Sequence, residues 1–303
     1  MPTFVTGPVE VSVPATSANL GPGFDSLGLA LSLRDVLVGE VTGEQGLSLS
    51  VSGEGSGEVP LDESHLVYQA MSAAFAEMGC AAPGVRLHCQ NAIPHGRGLG
   101  SSSAAIVGGI CLARGLVAGG SLLMDDDAVF ALAARMEGHP DNVAPAFYGG
   151  FTIATSHDDS CNATAVAVDP RVKVVVFVPP EPLGTAIARG LLPDTVPHAD
   201  AAAAAAHAAL LVVALSGRPE LLHAATEDFL HQDYREPAMP ESLGLVRDLR
   251  KDGVAAVVSG AGPSVLAFVD TSTRSDVRRR VPQGWAVLTL DVDSTGAKVA
   301  GGS

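Results

Sequence analysis

Three glycines that alternate with other residues stand directly before three serines, and this segment limits what the chain can fold into. Gly96, Gly98 and Gly100 follow a short strand-like stretch, and an alanine-rich helix is predicted to begin at Ser101. Glycines let the backbone approach a bound group, and the free amides of a helix's first turn attract anions. Serine hydroxyls can donate to phosphate oxygens or ligate Mg²⁺. The segment predicts a strand, a loop and a helix that hold a phosphate group.

A glycine loop of this kind can also be a plain turn before a helix, and other classes of enzyme carry glycine motifs of their own. The pattern GxxxxGK[ST] is absent, because none of the lysines Lys173, Lys251 and Lys298 follows a glycine. The dinucleotide pattern GxGxxG fails as well, because serines 102 and 103 follow where its third glycine belongs. HExxH and GxSxG do not occur either. The sequence therefore supports neither a Walker ATPase nor a Rossmann enzyme.

The charge composition of the chain argues against one further class of function. The chain has 303 residues, of which 47% are hydrophobic, and its 18 basic and 33 acidic residues give a net charge of −15. This balance argues against nucleic-acid binding, which needs clustered Lys and Arg. Any bound phosphate must be held mainly by backbone amides, a few arginines or a metal ion.

The sequence favours a cytoplasmic protein. Its four cysteines show no CxxC pattern, which fits a reducing compartment, and residues 1–20 lack the pattern of a signal peptide. The alanine-rich run 199–215 is interrupted by Asp200 and His207, so we do not expect it to span a membrane.

Hydrophobic periodicity predicts an α+β chain in two halves. Helices are expected at about 65–78, 101–117, 125–137, 199–216, 218–231 and 241–252, with strands between them. Gly108 and Gly109 lie inside one of these helices, where glycine costs helix stability, so we expect close helix packing there. The apolar strand 173–178 would open the second half. A boundary in the polar stretch 157–160 gives predicted domains 1–160 and 161–303.

Five segments, in order along residues 13–265, resemble one superfamily. Residues 94–104 are similar to the phosphate loop of the GHMP kinases, which include galactokinases, homoserine kinases and mevalonate kinases. Residues 13–28 resemble that superfamily's first motif in the form typical of homoserine kinases, and residues 259–265 resemble its third motif. Two further segments, EGHPDNVAP at 137–145 and HQDYR at 231–235, are also typical of homoserine kinases.

The resemblance implies both a fold and a reaction. The fold would be the α+β, two-domain GHMP kinase fold, with an ATP-binding N-terminal domain built on a left-handed βαβ unit and a ferredoxin-like C-terminal domain. The reaction would be ATP-dependent phosphorylation of the L-homoserine side-chain hydroxyl, giving O-phospho-L-homoserine for threonine biosynthesis. ATP and Mg²⁺ would be required, and the protein would be a homodimer. Another small-alcohol kinase of the superfamily, or a non-catalytic sensor with this fold, is the alternative.

The resemblance also implies the roles of individual residues. Mg²⁺ would be held by Glu137 and a serine hydroxyl, Ser102 or its neighbour Ser101. The ATP-binding positions would be Pro94, His95, Gly96, Arg97, Gly98, Leu99, Gly100, Ser101, Ser102 and Ser103. Substrate would be bound by Asn19, Asp25, His139, Asn142, Thr185, Arg189, Arg235 and Gly262.

Among these substrate residues, Arg189 and Arg235 would pair with the amino-acid carboxylate. Asp25 and Asn142 would be catalytic. Two mechanisms remain open, one with Asp25 as the base and one in which the hydroxyl proton passes directly to the phosphate. The second is slightly favoured, because sites of this kind generally lack a dedicated base. Relatives commonly carry Asn at the position of His65, close to the adenine pocket.

Overall fold

The computed structural model describes residues 3–157 and 160–301. Its strands are β1 Val9–Asn19, β2 Gly23–Thr42, β3 Leu47–Gly53, β4 Gly84–Asn91, β5 Phe151–His157, β6 Ser160–Val166, β7 Lys173–Val178, β8 Ala255–Val258, β9 Val265–Val269, β10 Ala286–Leu290 and β11 Lys298–Gly301. Its α-helices are α1 Leu66–Glu77, α2 Ser101–Leu116, α3 Gly120–Leu123, α4 Asp126–Glu137, α5 Pro140–Tyr148, α6 Thr185–Gly190, α7 His198–Gly217, α8 Leu222–Ala225, α9 Pro240–Lys251 and α10 Arg274–Arg278.

The N-terminal half is built on a seven-stranded sheet. Strands β11, β1, β2, β4 and β3 lie side by side in that order, and β5 pairs with β2 and with β6. Every pairing is antiparallel except β3 with β4, which α1 connects across the sheet. A parallel pair needs such a crossover connection. The expected βαβ unit is therefore present, and its left-handed sense stays a prediction.

The C-terminal half carries a separate four-stranded antiparallel sheet. Its order is β10-β7-β9-β8, and numbering these strands along the chain from first to fourth gives the order 4-1-3-2. Two helical connections, one between the first and second strands and one between the third and fourth, complete the split βαβ arrangement of a ferredoxin-like domain. The expected α+β fold class is confirmed.

The predicted boundary between the halves falls in a hairpin of the first sheet. The polar stretch 157–160 includes residues 158 and 159, which lie outside the described part of the chain. Strands β5 and β6 flank it and pair with each other, so the chain passes from the first sheet to the second between Val166 and Lys173. At the other end of the chain, β11 returns to pair with β1. The two-domain division at residue 160 stays a prediction.

Two differences from the sequence expectations have a clear local cause. The helix expected at 218–231 is only a 3₁₀ turn, Pro219–Leu221, followed by α8, which ends at Ala225. The chain then bends because the Asp228 carboxylate accepts the backbone amides of residues 230–232. The second difference is α5, where Pro140 occupies the first helical position and fixes a helix that hydrophobic spacing did not reveal.

Helix α7 is long and apolar enough to cross a membrane by length and composition. Its mean hydropathy is 1.7, and only 22% of its most apolar 18-residue window is buried. Such a helix is weak evidence for a membrane span, so the expectation that this run stays out of a membrane remains a prediction.

The helix packing expected at Gly108 and Gly109 is confirmed. A Cβ atom added at Gly109 would lie 2.5 Å from the carbonyl oxygen of Val67 and 2.8 Å from the Ala70 Cβ, both in the α1 region. A Cβ added at Gly108 would lie 2.5 Å from a Leu37 methyl group on β2. The two glycines let α2, the helix of the predicted phosphate loop, pack closely between α1 and the sheet.

We expect Gly109→Ala to destabilise the protein, although alanine favours helix by about 1 kcal/mol over glycine. The added methyl group meets the backbone of a neighbouring helix, and overpacking of this kind costs about 1–3 kcal/mol. Gly244→Ala in α9 is the matched control, because nothing lies within 4 Å of its added Cβ. Urea unfolding should show a lower free energy of unfolding for Gly109→Ala and no decrease for Gly244→Ala. Equal stabilisation of both would contradict the packing role.

Candidate active site

The C-terminal end of β1 joins three segments that are distant in sequence. The Thr16 amide donates to the Leu99 carbonyl at 3.0 Å, and the Thr16 hydroxyl donates to Asn142 Oδ1 at 2.8 Å. Asn19 donates from Nδ2 to the Gly260 carbonyl at 2.8 Å. Because Thr16 and Asn19 are buried, these hydrogen bonds are made away from water. They hold the glycine loop, the first turn of α5 and the third motif around one point.

The glycine loop has the geometry that its sequence predicts. Gly96, Gly98 and Gly100 have φ values of 63°, 70° and 71°, in the left-handed region that favours glycine. A Cβ at Gly98 would lie 2.2 Å from the carbonyl oxygen of Ser259, so this position also needs glycine for space. Gly100 is the N-cap of α2, and no side chain of the described residues caps this helix, which leaves first-turn amides of α2 free.

A cavity of about 170 Å³ lies where these segments meet. It brings together twelve of the residues that the sequence singled out: Asn19, Gly96, Gly98, Gly100, Ser101, Ser102, Glu137, His139, Asn142, Thr185, Arg189 and Arg235. Gly260, Ala261 and Asp141 also line it, although their sequence context predicts no individual role for them. The residues come from both halves of the chain, so the cavity lies between the halves.

The Glu137 carboxylate lies beside the start of α2. Its Oε1 accepts the Ser102 hydroxyl at 2.5 Å and the Ser103 hydroxyl at 2.9 Å. Glu137 is the last residue of α4, and the left-handed Gly138 ends that helix. A carboxylate and a hydroxyl oxygen are thereby placed side by side at the rim of the cavity. Oxygen donors of this kind suit a hard divalent cation.

A histidine–aspartate pair forms the wall next to Glu137. His139 Nδ1 lies 2.6 Å from Asp141 Oδ1, which also accepts the Asn142 amide at 3.1 Å. Burial opposes protonation of His139, but the hydrogen bond and charge of Asp141, helped by Glu137, outweigh it and raise the pKa of His139. Asn142 accepts the Thr16 hydroxyl on Oδ1, so its amide nitrogen is left to donate elsewhere.

Asp25 and Arg189 form a two-pronged ion pair beside the cavity. Arg189 Nη2 lies 2.7 Å from Asp25 Oδ1, and Nη1 lies 3.0 Å from Oδ2. Asp25 has a φ of 53°, which its amide stabilises by donating to Asn19 Oδ1 at 3.0 Å. The hydrogen bond with Asp25 raises the pKa of Arg189. Asp25 therefore reaches the cavity through Arg189, which lines it.

Arg235 is a buried cation that, unlike Arg189, donates to neutral acceptors. It is 1% exposed, and its donors reach neutral acceptors, namely His231 Nδ1 at 3.0 Å and the carbonyls of Ala188 and Gly260 at 3.3 Å. Within residues 3–157 and 160–301, no carboxylate pairs with it. Burial and the nearby Arg189 charge lower the pKa of Arg235. Both guanidinium groups lie 5.7 Å from the ring of Phe24.

A second cavity, of about 320 Å³, lies on the other side of the serines. Ser101 and Ser102 line both cavities, and the second is otherwise lined largely by apolar residues together with His65, His95 and Asp35. His65 is the N-cap of α1, makes no capping hydrogen bond and is buried, with Nδ1 unpartnered within the described chain. Burial, with the nearby His95, lowers the pKa of His65.

The remaining predicted residues lie outside the first cavity. Arg97 donates to the carbonyls of His95, Pro179 and Pro180, so it ties the glycine loop to the segment after β7. Leu99 is fully buried in the core. Pro94 and Gly262 do not line the first cavity, Ser103 donates to Glu137 from the first turn of α2, and His95 lines the second cavity.

Comparison with known proteins agrees with this architecture. The family model described as GHMP kinases N terminal domain matches residues 65–150, and that described as GHMP kinases C terminal matches residues 203–287. The homoserine kinase from Streptomyces avermitilis is 52% identical, and the match covers 98% of this chain and 97% of that protein. The homoserine kinase from Clavibacter michiganensis is also 52% identical, and the match covers 96% of this chain and 93% of that protein. The crystal structure of homoserine kinase from Cytophaga hutchinsonii superimposes with a TM-score of 0.85 at 25% identity, covering 97% of both chains.

The chain thus belongs to the GHMP kinases, and within that superfamily to the homoserine kinases. The kinase predicted from the motifs, with ATP-dependent phosphorylation of homoserine as its reaction, is confirmed at the level of this family.

We expect Asp141→Asn to lower the pKa of His139, because the substitution removes the charge that favours the imidazolium. In the wild-type protein His139 should titrate above its ordinary value of 6.5. A raised folded-state pKa stabilises the fold fully below pH 6.5, and this contribution is lost as the pH rises through the raised value. NMR titration of the imidazole protons measures the shift. An unchanged His139 pKa in the variant would show that Asp141 does not govern it.

Proposed function

We propose that the first cavity binds L-homoserine and the γ-phosphoryl group of ATP, and that the residues named above transfer that group to the substrate hydroxyl. The observation that carries this proposal is Arg235, a buried guanidinium without a carboxylate partner in the described chain. A buried charge is costly unless it is paired. An anionic substrate group that enters the cavity would supply the missing partner, and the carboxylate of an amino acid is such a group.

The proposed phosphate site is the glycine loop with the start of α2. Phosphoryl transfer depends mainly on positioning and on stabilising charge at the transferred group. Loop amides and the free first-turn amides of α2 supply fixed donors for this charge. The second cavity would take the nucleoside, because it shares Ser101 and Ser102 with the first and is largely apolar. His65 there occupies the position where relatives commonly carry Asn.

Glu137 and Ser102 are the proposed ligands of Mg²⁺. Their oxygen atoms lie 2.5 Å apart, while Ser101 has no side-chain hydrogen bond within residues 3–157 and 160–301, which favours Ser102 between the two serines. When bound, Mg²⁺ would neutralise charge on the phosphate oxygens. Because hydroxyl and carboxylate oxygens are suitable donors, the site fits this ion.

The structure bears on the choice between the two proton routes. Both carboxylate oxygens of Asp25 are held by Arg189 in a two-pronged ion pair, and the lone pair that each oxygen keeps can accept a hydrogen bond from an ammonium group. The Asn142 amide nitrogen is left to donate towards the cavity, which suits a role in positioning the substrate hydroxyl. We therefore favour direct passage of the proton to the phosphate, with Asp25 as a partner of the substrate ammonium.

Several properties remain predictions beside this mechanism. A cytoplasmic location fits the free thiols of Cys80, Cys89, Cys111 and Cys161. The homodimer implied by the family resemblance would be tested by light scattering during size-exclusion chromatography. Membranes and nucleic acids are not expected as partners.

We expect Glu137→Ala to reduce kcat at least about 100-fold, since a loss of this size is typical of outer-shell changes at metal sites and Glu137 would be a ligand. The variant should also need more Mg²⁺ for half-maximal activity. Glu220→Ala is the control, because Glu220 is an exposed partner of Arg218 outside the cavity. Magnesium titrations of both variants provide the measurement. An unchanged kcat would remove Glu137 from the metal site.

We expect Arg235→Ala to raise the KM for L-homoserine about 10- to 100-fold, because hydrogen bonds to charged groups contribute about 1.5–3 kcal/mol. Turnover of 3-amino-1-propanol, which is homoserine without its carboxylate, should change little. ADP release with Mg-ATP measures both, and mevalonate and shikimate test the wild-type preference. Equal losses with both amino alcohols would contradict the carboxylate role of Arg235. A wild-type preference for mevalonate or shikimate would contradict the homoserine assignment.

A further inference from the structure

His231 lies directly behind Arg235 and is sealed from solvent. It is 1% exposed, Nε2 lies 2.8 Å from the Gly21 carbonyl, and Nδ1 lies 3.0 Å from Arg235 Nη1. A carbonyl oxygen can only accept, so Nε2 carries the proton. A guanidinium can only donate, so Nδ1 carries none. The two partners together require a neutral imidazole with its proton on Nε2, and burial lowers the pKa of His231 in the same direction.

The neighbours of His231 hold it in this orientation. The ring of Phe24 packs against it with 5.4 Å between ring centroids, and the same Phe24 ring lies 5.7 Å from the Arg235 guanidinium. Asp228 is the nearest carboxylate, with Oδ1 3.6 Å from Nε2. Both of its oxygens are already engaged by the backbone amides of residues 230–232. The irregular chain after α8 therefore fixes His231, and His231 in turn fixes Arg235.

We propose that His231 is a positioning residue for the substrate carboxylate: as a neutral acceptor it orients Arg235 without cancelling its charge. This inference rests on the proposed role of Arg235. Nη1 and Nε are directed to His231, Gly260 and Ala188, whereas Nη2 has no hydrogen-bond acceptor among the residues that the structure describes. Nη2 is therefore the nitrogen left for the cavity, which Arg235 lines.

The chemical nature of the acceptor decides what Arg235 can do. A carboxylate at position 231 would form an ion pair with the guanidinium and weaken its attraction for a second anion. A protonated imidazole would repel it and could not accept its hydrogen bond. A neutral imidazole avoids both effects. The arrangement also explains why Arg235 is buried beside Arg189 with neutral groups around it, although the chain has abundant acidic residues.

The test compares two substrates in the full-length enzyme. The ratio of kcat/KM for L-homoserine to kcat/KM for 3-amino-1-propanol reports recognition of the carboxylate, and it does not depend on the fraction of enzyme that folds. We expect His231→Met, which has a similar volume but no imidazole acceptor, to lower this ratio about tenfold, the effect of one hydrogen bond. The KM for L-homoserine should rise more than kcat falls, and the KM for ATP should not change.

His231→Gln provides the rescue, because its amide can donate to the Gly21 carbonyl and accept from Arg235. It should restore the ratio to within about threefold of wild type, which is less than the effect of one hydrogen bond. If His231→Met yields no active enzyme, His231→Asn is used in its place. The shorter amide cannot reach both the Gly21 carbonyl and Arg235, so the same tenfold fall in the ratio is expected. His207→Met is the matched control, because His207 lies on α7, away from the cavity.

The outcomes separate this inference from the role of Arg235 itself. If Arg235→Ala lowers the ratio and His231→Met lowers kcat/KM equally for both substrates, His231 is only structural and the inference is overturned. An unchanged ratio in His231→Met overturns it as well. If Arg235→Ala leaves the ratio unchanged, the proposed function of Arg235 fails first. In the double variant His231→Met/Arg235→Ala, the ratio should be no lower than in Arg235→Ala alone.

Discussion

The hydrogen bonds at the end of β1 are the constraint on which the rest of the site depends. Thr16, Ser17 and Asn19 are buried polar residues, and the side chain of each forms a hydrogen bond with a segment from elsewhere in the chain. The partners of Thr16 and Asn19 are 126 and 241 residues away in sequence. Because a buried polar group is costly unless it is paired, these contacts favour one arrangement of the loops over others. The site is thus assembled by the strand end, and the loops supply its chemistry.

The charge distribution shows how an acidic protein can hold anionic substrates. The chain carries a net charge of −15, yet positive potential is concentrated at the cavity by the start of α2, by Arg235 and by Arg189. Burial strengthens these local fields, because they act in a medium of lower dielectric than water. Of the acidic groups at the cavity, Asp25 pairs with Arg189 and Asp141 with His139, while Glu137 accepts two serine hydroxyls. Local donors, and not the overall charge, therefore decide which ligand binds.

The sequence predicted those parts of the molecule that are encoded locally. Helices α1, α2, α4 and α9 follow from apolar spacing and caps, and the left-handed glycines before α2 follow from their residue type. The pairing of β11 with β1 and the bend at Asp228 depend on contacts between distant segments or on one side chain overriding helix propensity. Asp141 was missed because an aspartate between a proline and an asparagine ordinarily indicates a turn or a cap. Its spacing of two residues from His139 was the available signal.

The unequal pairing of the two arginines bears on selectivity for an amino acid. On the proposed assignment, Arg189 already has a carboxylate partner in Asp25, whereas Arg235 has only neutral acceptors in the described structure. A substrate with a carboxylate alone would have to compete with Asp25 for Arg189, and one with an ammonium alone would have to compete with Arg189 for Asp25. A zwitterion pairs with both groups at once. Its ammonium binds Asp25 while its carboxylate binds the arginines, so no charge is left unpaired. The ion pair at the cavity thus favours a ligand that carries both charges, which is the property that distinguishes homoserine from simpler alcohols.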